Sequence, residues 1–186
     1  MKTLILASGS PRRREIWQQV GLEFSVIPSR KEEVITKQDP KEAVMELALL
    51  KAEDIAGQTD SGCLVTGADT VVVKDGKILG KPKDEEDAAR MLRMLSGGRH
   101  QVCTGVACIL NGQKKVFCQE TSVQFYPLSE DEIKEYIKTG EPMDKAGAYG
   151  IQGKAAGFIR GIEGDYYNVV GFPIARFLQE LKNWDI

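Results

Sequence analysis

An acid and a hydroxyl interrupt the otherwise apolar, β-branched run Val65-Thr66-Gly67-Ala68-Asp69-Thr70-Val71-Val72-Val73. A carboxylate inside such a strand must be hydrogen-bonded, metal-bound or at the strand's mouth, because an unpaired buried charge costs several kcal/mol. Asp69 is therefore a better candidate for proton transfer than a surface acid, with a water-facing bulge at Gly67 to Asp69 as the alternative. Glu32 and Glu33 follow an expected strand end at Pro28. Their loop either brings a second carboxylate to the same end of the sheet or stays solvated.

The cations are placed as unusually as the acid. In Leu6-Ala7-Ser8-Gly9-Ser10-Pro11-Arg12-Arg13-Arg14, Ser10 suits an N-cap and Pro11 the first helical position, so three arginines fall in a first turn that already carries partial positive charge. A bound anion would reverse that cost, since a strand, a turn of small residues and a helix start form a cradle of N–H groups that Arg12 and Arg13 would complete. Solvated arginines are the other reading. Lys51 sits in an apolar helical stretch, and Lys81 in the bend Gly80-Lys81-Pro82, where a lysine can reach a phosphate or remain exposed.

Gly140 to Gly153 is too rich in glycine for a helix and too apolar for a disordered loop. It suits close backbone approach to a ligand, with Asp144, Lys145, Tyr149 and Gln152 able to read it. His100 is the only histidine and reads as structural; G-x-S-x-G, G-x-x-x-x-G-K-[ST] and a strand-borne G-x-G-x-x-G are all absent. Together these residues describe a phosphate-ester site, where carboxylates beside phosphate groups call for a divalent cation.

The elements that must position them alternate. Strands are predicted at 3–7, 23–28, 63–73 and 77–79, with helices at 11–20, 40–57 and 84–95, which is an α/β order with a helix-flanked sheet. Asn111-Gly112 joins strands 101–110 and 114–125 in a hairpin. Ser129 and Glu132 form a capping box for a helix over 129–139 that Gly140 ends, and Pro173 opens a last amphipathic helix to about Trp184.

The 186 residues, 42% of them hydrophobic, suit one domain over 1–186. Lys and Arg total 25 against 27 Asp and Glu, so no broad basic face for nucleic acid is expected and any anion site is local. Cys63, Cys103, Cys108 and Cys118 show neither zinc spacing nor the density of a disulfide scaffold, and read as reduced, mostly buried thiols. With no apolar run long enough to span a membrane and no signal h-region after Met1-Lys2-Thr3, a soluble cytoplasmic protein is expected.

The same residues resemble the Maf family of nucleoside triphosphate pyrophosphatases. Leu6 to Arg13 resembles its N-terminal phosphate motif, Gly67 to Val71 its catalytic strand, Gly80-Lys81-Pro82 its lysine turn, and Leu95-Ser96-Gly97 with His100-Gln101-Val102 its central turn. Asp144 to Gly153, followed by Gly164 to Gly171, is similar to its C-terminal signature in the branch acting on dTTP and UTP. The resemblance implies a mixed, elongated sheet flanked by helices, like that of inosine triphosphate pyrophosphatases, with two lobes around a central cleft. It implies hydrolysis of dTTP and UTP, and of modified pyrimidine nucleotides within reach of the same site, to a monophosphate and pyrophosphate. Asp69 takes the proton-acceptor role; Ser8, Arg12, Arg13, Lys51 and Lys81 the phosphate contacts; Arg12, Thr70 and Gln152 substrate selection. Mg²⁺, Mn²⁺ or Co²⁺ would be held by Asp69 and by Glu32 or Glu33, and room is left for a homodimer. Two other readings are a sugar-phosphate nucleotidyltransferase, which would need a sugar phosphate to release pyrophosphate, and a nucleotide-binding division regulator with little turnover.

Overall fold

The computed structural model describes residues 3–182 and 184. Met1, Lys2, Asn183, Asp185 and Ile186 lie outside the described residues, and with them the polar start and part of the expected end of the last helix. The elements are β1 (Leu4–Leu6), α1 (Pro11–Gln19), β2 (Phe24–Val26), α2 (Pro40–Ala56), β3 (Leu64–Lys74), β4 (Lys77–Leu79), α3 (Glu85–Leu95), β5 (Arg99–Leu110), β6 (Gln113–Phe125), α4 (Glu130–Lys138), β7 (Ile159–Glu163), α5 (Tyr166–Val170) and α6 (Ile174–Lys182). Strand β7, helix α5 and three 3-10 turns at Glu141–Asp144, Ala146–Ala148 and Lys154–Phe158 were not predicted from the sequence.

The hydrogen-bonded strand order is β2-β1-β3-β5-β6-β7, with β4 paired to β3. Strand β1 runs parallel to β2 and β3, whereas β3–β4 and β6–β7 are antiparallel, so the sheet is mixed and the fold α/β. The tight turns behave as their sequences dictate. Asp75-Gly76 and Asn111-Gly112 have φ of 50° and 74°, and 50° and 76°, the doubly left-handed pattern that matches strand twist in a two-residue hairpin. Asp39 caps α2 by accepting from the N–H groups of Lys41 and Glu42 at 2.9 and 3.0 Å, and Ser129 with Glu132 makes the expected capping box on α4.

The described chain forms two compact units. The first runs to Thr70, takes up Thr104–Gln119 and resumes at Gly171; the second consists of Val71–Cys103 and Glu120–Val170. In the first, α2 packs its small residues Ala48 and Ala52 with Ile5, Ala7, Val65, Ala107 and Ile109. Helix α1 buries Arg13, Ile16 and Trp17, positions that share one helical face, and Trp17 meets Phe24, Phe172 and Phe177 at ring centroids 5.0 to 5.5 Å apart. The second unit closes on Leu92, Leu95, Phe125, Ile133, Tyr136 and Tyr149.

Two glycines set how α2 lies on the sheet. A Cβ on Gly67 of β3 would fall 2.2 Å from the Ala48 carbonyl oxygen, and one on Gly105 of β5 2.3 Å from that of Val44. These strand glycines mark the close approach of helix backbone to strand, not a bulge open to water. Gly105→Ala should lower stability by about 1–3 kcal/mol, seen as a lower urea midpoint, since helix backbone rather than a flexible side chain must move. Gly157→Ala, whose added methyl would meet nothing within 4 Å, should leave the midpoint in place.

His100 is structural, as the sequence suggested: it is buried, its Nε2 lies 2.7 Å from the Tyr149 hydroxyl, and its ring stands edge-on to Phe125. Burial, helped by Lys74, pulls its pKa down to about 3. The native state then binds fewer protons than the unfolded chain between that value and about 6.5, so this stabilisation is complete above about 6.5 and is lost as pH falls toward 3. Urea titrations from pH 7 to 4 should show stability falling by a few kcal/mol in the wild type, with a shallower fall in His100→Gln.

Candidate active site

Successive residues of a strand point to opposite faces, so Asp69 and Thr70 are separated as soon as β3 forms. Asp69 lies on the face that carries Gly67 and meets α2. Lys51, one position before Ala52 in that helix, donates from Nζ to Asp69 Oδ1 at 2.7 Å and lies 2.8 Å from Glu33 Oε1. Both side chains of the Lys51–Asp69 pair are 14% exposed, against 54% for Glu33. Two carboxylates thus converge on one ammonium, which compensates charges that would otherwise repel at close range.

The loop carrying Glu33 runs along α2 with fixed footholds. Ser29 Oγ donates to Asp54 Oδ2 at 2.6 Å, and the Thr36 N–H donates to Glu46 Oε2 at 2.9 Å, on either side of the Glu33–Lys51 contact. Of the two adjacent glutamates, both exposed, Glu33 is the one brought to Lys51.

Thr70 faces α1 and the start of the C-terminal segment. The buried Arg13 donates from Nε to the Gly171 carbonyl at 2.9 Å, from Nη1 to Ser8 Oγ at 3.1 Å and from Nη2 to Thr70 Oγ1 at 3.0 Å. Burial pulls the guanidinium pKa below its usual value and neighbouring Arg12 lowers it further, while Asp69 and Glu33 oppose the shift. Three hydrogen bonds supply what a desolvated guanidinium needs. Ser10 occupies the N-cap position without a side-chain cap bond; its own N–H donates to Ser8 Oγ at 3.3 Å. The three arginines therefore divide, with Arg13 buried, Arg12 half-buried and Arg14 exposed.

The remaining predicted residues belong to the second unit. Lys81 is exposed, and its bend is held where the Gly147 N–H donates to the Gly80 carbonyl at 3.0 Å. Gln152 is exposed in the turn after Tyr149, whereas Tyr149 itself is buried in the core. Lys145 donates to the Glu141 carbonyl at 2.9 Å and to Asp144 Oδ1 at 2.8 Å. Of the four groups expected to read a ligand, Gln152 and Asp144 are thus the exposed ones, and Tyr149 is claimed by packing.

The glycines here also have an internal reason. A Cβ on Gly153 would strike the Glu141 carboxylate at 2.1 Å, one on Gly150 the Lys145 side chain at 2.6 Å, and one on Gly147 the Val72 side chain at 2.7 Å. Glu141, which the sequence did not single out, organises the segment by accepting from the Tyr136 hydroxyl at 2.9 Å and from the Lys154 N–H at 3.1 Å. Thr104 was missed as well: its hydroxyl lies 2.9 Å from that of Thr70. Its one sequence signal is a polar residue inside the apolar run from Val102 to Leu110.

No disulfide joins the four cysteines; Cys103 and Cys108 are buried and Cys63 and Cys118 half-buried, so half rather than most of them are buried. Burial pushes the Cys108 thiol up to about 12. Among the described residues no helix is long and apolar enough to cross a membrane.

A family model described as Maf-like protein matches residues 3–184. A dTTP/UTP pyrophosphatase of Agathobacter rectalis is 50% identical over 199 residues, covering 98% of this chain and 97% of that protein. A dTTP/UTP pyrophosphatase of Geobacillus sp. (strain WCH70) is 52% identical over 183 residues, covering 98% of each. Among solved structures, a HAM1 protein from Coxiella burnetii superposes with a TM-score of 0.51 at 17% identity over 84% of this chain and 91% of that one, a likeness of fold. The ordered motifs, the nearly full-length family match and the half-identical relatives agree: this chain belongs to the Maf family.

Proposed function

We propose that this protein hydrolyses dTTP and UTP to the nucleoside monophosphate and pyrophosphate, inside the cytoplasm, where its thiols stay reduced. The observation that carries the reading is the strand-borne Asp69 carboxylate held by Lys51 beside Glu33. The names of the half-identical relatives support the substrate class.

Asp69 accepts a proton from the water that attacks the α-phosphorus, and the pyrophosphate departs. Ser8, Arg12, Arg13, Lys51 and Lys81 contact the phosphates, with Arg13 acting largely by holding Ser8 and Thr70 in place. Cations held before the reaction, as Lys51 and Arg13 are, stabilise the charge that grows on the leaving group without having to reorganise. Arg12, Thr70 and Gln152 select the nucleotide, and the Gln152 amide offers both a donor and an acceptor to a pyrimidine edge.

Asp69 and Glu33 fit a divalent cation. They present hard oxygen donors that already converge on one cationic atom, the pattern in which Mg²⁺ or Mn²⁺ takes one or two carboxylates and completes its shell with phosphate oxygens and water. Such an ion supplies Lewis-acid stabilisation of phosphoryl charge.

Pyrophosphate release from a panel of nucleoside triphosphates with Mg²⁺, Mn²⁺ and Co²⁺ tests the reading, with UTP and dTTP expected as preferred substrates and no sugar phosphate required. Asp69→Asn should keep UTP affinity and lose about 10²–10⁴ in turnover; near-normal turnover would remove Asp69 from the proton-acceptor role. Glu33→Gln should raise the Mg²⁺ requirement at least about tenfold and weaken Mn²⁺ binding followed by electron paramagnetic resonance, while Glu32→Gln leaves both unchanged.

A further inference from the structure

Thr70 Oγ1 has three close partners and only one proton and two lone pairs to share among them. Arg13 Nη2 can only donate, and at 3.0 Å it occupies one lone pair. The Gly171 carbonyl can only accept, and its 3.4 Å separation makes it a long, weak partner. Thr104 Oγ1, at 2.9 Å, can do either. If it accepts the Thr70 proton, Thr70 retains a lone pair for a ligand. If it donates, both lone pairs are taken and Thr70 has only a proton to offer.

Thr104 is well placed to hold one of these arrangements. Its residue is fully buried, and its chain neighbour Gly105 is the one pressed under the Val44 carbonyl of α2, which fixes the backbone at this point of β5. Thr70 is half-buried, so its hydroxyl sits between this internal network and the surface. The geometry points to Thr104 as a positioning residue for nucleotide selection: through its hydroxyl, and with Arg13 as the fixed donor, it sets whether Thr70 presents an acceptor or a donor to the nucleotide. This inference rests on the proposed role of Thr70 in substrate selection. It adds a residue that does not touch the nucleotide itself.

The test compares Thr104→Val, which keeps shape and removes the hydroxyl, with Thr104→Ser, which keeps the hydroxyl and removes a methyl. The preference for UTP over CTP is measured as the ratio of kcat/KM values and, in EDTA, as the ratio of binding affinities by calorimetry. Thr104→Val should change both ratios about three- to tenfold, the scale of one hydrogen bond, while its urea midpoint stays close to that of the wild type. Thr104→Ser should retain the wild-type preference. In a Thr70→Val background the effect of Thr104→Val on the ratios should vanish, because the path runs through the Thr70 hydroxyl. An unchanged preference in Thr104→Val, an equal shift in Thr104→Ser, or effects that simply add in the double variant would each overturn the inference. So would a wild type that binds UTP and CTP equally. A wild type that prefers UTP in binding but releases no pyrophosphate would reject hydrolysis alone, and the affinity ratios would still decide the role of Thr104.

Discussion

The seating of α2 on the sheet is the constraint on which the carboxylate side of the site depends. Helix backbone lies against β3 at Gly67 and against β5 at Gly105, with carbonyl oxygens where Cβ atoms would otherwise stand. Ala48 and Ala52 keep the same face of the helix low. A helix carrying larger side chains there would ride higher, at the ordinary separation set by interdigitating side chains, and the Lys51 ammonium would no longer come within 2.7 Å of Asp69. Asp69 shares its face with Gly67, two residues earlier, so the residue that admits the helix and the residue that uses its lysine belong to one pleat of β3. A half-buried ion pair of this kind adds little net stability once desolvation is counted. What the close packing secures is position.

Arg13 solves a different problem with the same economy. Its place in the first turn of α1 opposes the helix dipole, and its face, shared with Ile16 and Trp17, takes it out of water. Both costs are offset locally by the Gly171 carbonyl and by the hydroxyls of Ser8 and Thr70. Thr70, Thr104 and Gly171 are also the residues at which the chain leaves or re-enters the first unit. One guanidinium and two threonine hydroxyls therefore tie together three separate stretches of the chain at those points.

Much of the fold was legible because its signals are local. Asn111-Gly112 and the Ser129–Glu132 box each act through their own few residues, and each appears where the sequence placed it. Strand β7 was not legible, since Ile159-Arg160-Gly161-Ile162-Glu163 is short, carries a glycine and owes its form to pairing with β6, including Ser122 opposite Glu163. The glycine-rich segment was legible as special, and folding adds a reason the sequence does not carry: its glycines make room for Glu141, Lys145 and Val72, contacts that only the folded chain creates. Likewise Glu32 and Glu33 are chemically alike in sequence, and the choice between them falls to a lysine far along the chain. The burial of Arg13 was within reach, because Arg13, Ile16 and Trp17 stand at the spacing of one helical face.

Charge balance differs between the two faces of β3. Around Lys51 the local sum is negative, with Asp69 and Glu33 against one ammonium, whereas across the strand Arg13 stands among neutral oxygens. A polyanion approaching the acids meets repulsion that Lys51 alone does not cancel, since its charge is already shared between two carboxylates. On the proposed reading, additional positive charge beside Asp69 is a physical requirement of placing a triphosphate there. Asp69 is held by one lysine on its strand, with Glu33 drawing on that same ammonium, so the cation that fixes the carboxylate in place is not devoted to it alone.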